Sequence, residues 1–205
     1  MISDNLNYNN ANFVCGTTSV NYALKQIQYP EIAIWGRSNV GKSSIINALT
    51  ERRGLCRRSM KPGCTMQLNY FLIDNKLMIV DMPGYGFAKR SKSDIRKNHN
   101  ISRNYITSST SLKALLLLVD VRHGCKESDI EMIKFLCENG RNFLIVFTKA
   151  DKVSFVHAAS YLSSTFPNIL ADNFLDSSIA ESAIITSSKL GTNISMLKKL
   201  ITEAI

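Results

Sequence analysis

The sequence predicts an α/β fold: three layers, α/β/α, around a mostly parallel six-stranded sheet with one antiparallel edge strand. Three observations predict it. From residue 31 onward, short runs rich in apolar and β-branched residues alternate with longer stretches of helical pattern, as strand, crossover helix and parallel strand require. The longest apolar run, residues 114–119, suits a strand buried on both faces and is far too short for a bilayer, which takes about 20 residues. A glycine-rich loop at 36–43 stands between the first apolar strand and the first helical start.

The elements follow in order. Residues 1–28 are polar and Asn-rich with scattered apolar anchors, and read as a loose arm or short helix outside a domain spanning 29–205. Residues 31–35, 68–73, 77–81, 113–120, 142–148 and 183–186 read as strands. Asp74 and Asn75 join the second and third through a tight two-residue turn. Helical patterns cover 42–49, 93–107, 127–138 with Gly140 past its end, 152–166 and 192–204. Five crossovers and one hairpin then give the mostly parallel sheet.

With 205 residues and 45% apolar content, the chain can enclose a core without disulfide or metal staples. Its five cysteines are odd in number and lack paired metal-ligand spacing, so reduced thiols are expected and zinc is not. No Lys or Arg precedes Lys25 and no sustained apolar run opens the chain, so no signal peptide, anchor or membrane partner is expected, and the cytoplasm is the expected location. A monomer is the expected state. The formal charge of +9 concentrates in two groups, Arg52, Arg53, Arg57, Arg58 and Lys61, then Lys89, Arg90, Lys92, Arg96, Lys97 and Arg103. Such groups either face solvent or meet an anionic partner.

Gly36-Arg37-Ser38-Asn39-Val40-Gly41-Lys42-Ser43 fits G-x-x-x-x-G-K-[ST]. The glycines let the backbone curl into a nest of N–H donors around phosphate oxygens, and the following helix aims its positive end at them. In that pattern Lys42 reaches the outer phosphates and Ser43 offers its hydroxyl to Mg²⁺. Asp81-Met82-Pro83-Gly84 follows a strand and so brings a carboxylate to a strand's carboxyl end, where Asp81 is expected to hold Mg²⁺ through water. The Gly84 amide is the expected donor to a γ-phosphate. Between them, residues 52–65 form a basic segment punctuated by Gly and Pro, in which Thr65 is a candidate second hydroxyl ligand to Mg²⁺. Lys42, Thr65 and Gly84 are therefore the expected catalytic residues, and Ser43, Thr65 and Asp81 the expected metal ligands.

Thr148-Lys149-Ala150-Asp151 follows another apolar strand. A carboxylate at Asp151 accepts from guanine N1 and its 2-amino group together, whereas adenine offers neither donor in that arrangement and would leave buried lone pairs unpaired. The stem of Lys149 would lie along the base. Thr186-Ser187-Ser188-Lys189 follows the last strand, where a backbone N–H can reach guanine O6 and the stem of Lys189 can cover the ring.

Taken in order, these motifs resemble the translation-factor-like P-loop GTPases, whose fold is the Ras-like G domain. Three stretches narrow the likeness: residues 36–44 ending in Ser44, Asp81-Met82-Pro83-Gly84-Tyr85-Gly86-Phe87-Ala88-Lys89, and Val119-Asp120-Val121-Arg122-His123. They are similar to the EngB/YihA (YsxC) family of bacterial ribosome-biogenesis GTPases, among the TrmE-Era-EngA-EngB-septin-like proteins. The resemblance implies a Mg²⁺-dependent GTPase that helps mature the large ribosomal subunit, contacts rRNA, and is linked to normal cell division and septation. It also places Gly63, Cys64, Thr65, Met66 and Gln67 in the first switch around the nucleotide. Cys64 stands where a basic residue is usual in that family.

Phosphoryl transfer needs charge neutralisation and an oriented water more than covalent chemistry. Ras-like enzymes place Gln directly after D-x-x-G, and this chain has Tyr85. Intrinsic turnover is expected on the order of 10⁻⁴ to 10⁻² s⁻¹. A ribosomal partner would complete the site, as would K⁺, because Asn39 resembles the Asn with which related GTPases help bind that ion. The competing expectation is a GTP-binding scaffold of the division machinery in which hydrolysis is incidental.

Overall fold

The computed structural model describes residues 6–19, 29–56, 67–86 and 92–205, with backbone alone over 92–98. The elements in chain order are β1 (Ala11–Thr17), β2 (Glu31–Gly36), α1 (Lys42–Leu49), β3 (Leu68–Ile73), β4 (Leu77–Asp81), α2 (Lys92–Ser108), β5 (Leu112–Asp120), α3 (Glu127–Glu138), β6 (Phe143–Thr148), α4 (Phe155–Ser160), α5 (Phe166–Asp172), α6 (Ser178–Glu181), β7 (Ile184–Ile185) and α7 (Ile194–Glu203). The sheet order is β1-β3-β4-β2-β5-β6-β7. Strand β3 runs antiparallel to both of its neighbours, and the pairs from β4 to β7 are parallel. The α/β class and the mostly parallel sheet stand as the sequence predicts.

The alternation of side chains along the central strands sorts the core into two layers, one on each face. Trp35, Leu115, Leu117 and Val119 face α2, α3 and α5 with Tyr105, Ile133 and Phe166. Ile32, Ile34, Leu116 and Leu118 face α1 and α7 with Ile45, Leu49, Leu197 and Ile201. A strand covered on both faces has no polar side to show, which is why β5 reads as a nearly unbroken apolar run.

Two expectations are corrected. The amino-terminal stretch is not a loose arm or short helix over its described part, for β1 pairs with β3 from Ala11↔Ile73 to Thr17↔Leu68. Among the described residues the sheet therefore has seven strands rather than six, and its antiparallel strand β3 lies inside the edge rather than on it. Side-chain pattern could not signal β1, because only Ala11 among its residues is buried. Backbone pairing holds it, helped by Asp74 of the hairpin turn, whose N–H donates to Asn10 O at 2.8 Å and whose carboxylate accepts from the Asn7 N–H at 3.3 Å. Asp74 and Asn75 adopt φ of 51° and 50°, as a tight turn between twisted strands demands.

The second correction concerns the helix expected at 152–166. A 3₁₀ turn occupies Ala150–Lys152, and Ser154 caps α4 by accepting from the His157 N–H at 3.2 Å. The helical path then passes through a π turn at Tyr161–Thr165 and continues to Asp172. Pro167 falls in the first turn of α5, where its missing N–H is tolerated, so the helical path runs on past residue 166, where the sequence pattern ends it.

At the opposite end of the sheet from the loops described below, Glu31 is buried and accepts from Tyr105 Oη at 2.7 Å and Ser109 Oγ at 2.9 Å, clamping α2 to β2. Burial raises its carboxyl above the ordinary carboxylate range, against the lowering effect of those two hydrogen bonds. The folded protein thus holds this proton more tightly than the unfolded chain does. The resulting stabilisation is present below the ordinary carboxylate range and is lost as pH rises through the raised value. Glu31→Gln is expected to match the wild type in denaturant midpoint near pH 4 and to gain on it steadily toward neutrality, as parallel urea titrations would read; a constant difference across pH would contradict this.

Candidate nucleotide-binding site

All the sequence-predicted loops among the described residues open at the carboxyl ends of β2, β4, β6 and β7, the edge where doubly wound sheets bind ligands. The phosphate loop leaves β2 at Gly36 and enters α1 through Gly41, the residue before the helix, at φ 117° with no side-chain cap. Asn39 also turns left-handed at φ 63°. A Cβ at Gly36 would lie 2.7 Å from Leu118 O and 2.9 Å from Val40 Cγ1, so the loop can leave the sheet here only without a side chain.

Two side chains from the end of β6 hold the loop's carbonyls. Thr148 Oγ1 donates to Val40 O at 2.7 Å, and Lys149 Nζ donates to Asn39 O at 2.6 Å. Lys149 in turn is paired with Asp120 Oδ2 at 2.8 Å, and Arg122 closes on the same carboxylate at 2.7 Å. Although burial opposes ionisation, the hydrogen bonds from Arg122 and Lys149 hold the Asp120 carboxyl well below the usual range. Together with His123, Gly124 and Asp129, these residues and 37–40 line a depression of about 220 Å³.

Asp81 ends β4 and is buried. Its Oδ1 has no hydrogen-bond partner among the described residues, while Oδ2 lies 3.7 Å from Cys56 Sγ. The same thiol also meets the Ser43 hydroxyl, so Cys56 neighbours both Ser43 and Asp81. Burial raises the Asp81 carboxyl, opposed by the Lys42 charge and by hydrogen bonds from Cys56 and Asn69. Burial, then the Asp81 charge, pushes the Cys56 thiol up to about 12.

Met82, Pro83 and Gly84 lead from Asp81 back over the phosphate loop. A Cβ at Gly84 would stand 2.8 Å from Lys42 Nζ and 3.0 Å from Ser38 N, so the glycine is needed for this close approach. Tyr85 faces inward, its ring edge-on to Trp35 with centroids 5.2 Å apart.

On the far side of the loop, Asp151 Oδ1 accepts from Ser187 Oγ at 2.7 Å, and Ala150 N–H donates to Thr186 O at 3.1 Å. These bonds draw the 148–151 and 186–189 segments together. Ser187 N–H is committed to Thr192 O, Ser188 is half-buried, and Lys189 is exposed. Ser44 lies in the first turn of α1. Gln67, expected in the first switch, is exposed and donates to Asn69 Oδ1 at 3.2 Å. Gly63, Cys64, Thr65 and Met66 lie outside the described residues.

Sequence reasoning missed Asp120 as the anchor of Lys149, Cys56 and Asn69 as neighbours of Asp81, and Asp129 beneath Tyr85. Asp120 did carry a signal, a carboxylate closing the longest apolar strand; the others are brought in by tertiary structure alone. Gly36→Ala would push a methyl into a backbone carbonyl and is expected to cost about 1–3 kcal/mol, read as a lowered urea midpoint against the wild type.

The comparisons with known proteins agree with this geometry. A family model described as "50S ribosome-binding GTPase" matches residues 31–149. The "Probable GTP-binding protein EngB" of Streptococcus pyogenes serotype M5 (strain Manfredo) is 47% identical over 148 residues, 72% of this chain and 74% of the relative. Its namesake in Porphyromonas gingivalis (strain ATCC BAA-308 / W83) is 46% identical over 145 residues, 71% and 72% of the two chains. Among solved structures, a probable GTP-binding protein engB superposes with a TM-score of 0.67 at 29% identity, covering 85% of this chain and 97% of that one. Era bound to MgGDPNP and a segment of 16S ribosomal RNA shares the fold at a TM-score of 0.66 and 23% identity, over 87% of this chain and 57% of that one. With a family model spanning more than half its length and relatives of the same name near one-half identity, the chain belongs to the EngB family of GTP-binding proteins, within the 50S ribosome-binding GTPases.

Proposed function

We propose that the protein binds GTP with Mg²⁺, hydrolyses it slowly, and uses the bound nucleotide as a switch in assembly of the large ribosomal subunit. The observation that carries this reading is the placement of Asp151, held by Ser187 beside the segment 186–189 and joined through Lys149 to the phosphate loop. One rigid unit then spans base and phosphates. Asp151 accepts from guanine N1 and the 2-amino group, the Ser188 N–H donates to O6, and the stems of Lys149 and Lys189 cover the two faces of the base.

The amides of Asn39 and of residues 41–44 receive the phosphates, with Lys42 on the outer pair; those of Ser38 and Val40 already donate to Tyr85 O and Arg37 O. The residues present fit Mg²⁺: the buried Asp81 carboxylate, whose Oδ1 has no hydrogen-bond partner among the described residues, and the Ser43 hydroxyl, which meets the same Cys56 thiol as Asp81, supply oxygen donors of the kind that ion takes. Thr65 is proposed as a further ligand. When bound, the ion neutralises charge on the β- and γ-phosphates. Lys42 and the Gly84 amide stabilise the charge that develops on the γ-phosphoryl oxygens. Tyr85 is buried with its hydroxyl on Asp129, so it offers no group to orient an attacking water, and intrinsic turnover is slow.

Asp151→Asn is expected to lose fluorescent GDP by about 100-fold or more while gaining preference for xanthine nucleotides, with fluorescent ADP bound poorly throughout. Equal GDP and ADP affinity in the wild type would sink the proposal.

The basic groups flanking the switches support rRNA as the polyanion that senses the nucleotide, and the role in division and septation would follow from ribosome supply. K⁺ beside Asn39 or the ribosomal subunit itself supplies the missing activation. Phosphate release is expected to rise on adding large subunits, to be faster in KCl than in NaCl, and to lose its subunit stimulation steeply with salt. Stimulation insensitive to salt, or equal rates in the two salts, would remove the corresponding partner.

A further inference from the structure

Gly84 is held from both sides. The carbonyl of Pro83, the residue before it, accepts from Trp35 Nε1 at 3.1 Å in the core. Tyr85, the residue after it, pairs with the phosphate loop through two backbone bonds, Ser38 N–H to Tyr85 O at 3.0 Å and Tyr85 N–H to Gly36 O at 3.4 Å. The Tyr85 side chain is then fastened at its far end. Its hydroxyl donates to Asp129 Oδ1 at 2.9 Å, with both residues buried. Asp129 stands outside every nucleotide motif, in the first turn of α3. Its other oxygen accepts from the Lys126 N–H at 2.9 Å, so both carboxylate oxygens have defined directions and the acceptor cannot swing away. Arg37 of the phosphate loop lends its charge to the same carboxylate.

We propose that Tyr85 and Asp129 form a latch that fixes the Gly84 amide above the phosphate loop beside Lys42, making Asp129 a positioning residue for recognition of the γ-phosphate. The inference rests on the guanine-nucleotide reading above and adds a residue to it. A glycine next to a switch has wide backbone freedom. Tying its successor to the helix that follows β5 removes that freedom before nucleotide arrives, so the donor is in place for the γ-phosphate without a further ordering cost. GDP lacks the phosphate that Gly84 would meet, and its binding does not depend on the latch. The latch therefore sets the ratio of triphosphate to diphosphate affinity rather than affinity as such.

The test uses the full chain as wild type, Tyr85→Phe, Asp129→Asn and Asp129→Ala, titrated with fluorescent GDP and with a fluorescent non-hydrolysable GTP analogue. Tyr85→Phe keeps the ring against Trp35 and removes only the hydroxyl. It is expected to leave GDP affinity unchanged and to weaken the analogue at least about fivefold, the lower end of ordinary coupling between sites. Asp129→Asn retains an oxygen that can accept from Tyr85, and should keep more of the wild-type ratio than Asp129→Ala. The Tyr85→Phe/Asp129→Ala double variant should be no worse in this ratio than the worse single one, since both break the same bond. A parallel loss of GDP and analogue affinity would mean that the pair only supports the fold, and an unchanged ratio in Tyr85→Phe and Asp129→Ala would mean that the bond positions nothing; either overturns the proposal. Failure of the wild type to hold GDP would instead overturn the guanine-nucleotide reading beneath it.

Discussion

A loop that turns its amides inward to receive an anion must turn carbonyls outward, and each of those needs a donor. Here Thr148 and Lys149 meet that need for Val40 O and Asn39 O. Both donors sit at the carboxyl end of β6, two strands away from the loop's own strand, so the phosphate loop keeps its shape only while β2, β5 and β6 stay in register. Asp120, at the end of the strand between them, holds Lys149 in turn. The central parallel sheet is thus more than a support: three strand ends together make one rigid ledge for the nucleotide.

The two core layers serve the same end. Side chains of β2 and β5 alternate between the α2–α3–α5 face and the α1–α7 face, so neither strand can slip by one residue without exchanging its buried sets. Trp35 illustrates the link from core to site. It packs in the first layer at the end of β2, one residue before the phosphate loop, and its indole N–H reaches Pro83 O on the neighbouring loop. Packing that fixes the fold therefore also fixes the distance between the two phosphate-side loops.

Much of this was legible in the sequence because its signals are local. A buried strand announces itself by an apolar run, and the phosphate loop by glycines and lysine at fixed spacing before a helix. Asp81 could be placed because it closes such a strand, and Asp151 because its motif begins at the end of one. What escaped depends on partners distant in sequence. Strand β1 exposes nearly every side chain and exists through its ladder with β3, a bond pattern that no residue type encodes. Asp129 reads as an ordinary acidic residue opening a helix, and only the fold brings Tyr85 to it. Cys56 and Asn69 likewise meet Asp81 through tertiary approach. The helical path beyond residue 166 escaped as well, because Pro167 is accommodated in the first turn of α5 after a change of pitch.

The placement of β1 has a consequence for how the protein behaves in a crowded cell. Without it, β3 would present a six-residue row of unpaired N–H and C=O groups to any passing chain, the usual template for intermolecular sheet growth. Strand β1 covers that row and is itself interrupted by a bulge between Phe13 and Cys15, which makes it a poor template in its turn. The opposite margin of the sheet ends in β7, two residues long. Among the described residues, one margin is thus an irregular strand and the other a short one, both poor templates for further pairing.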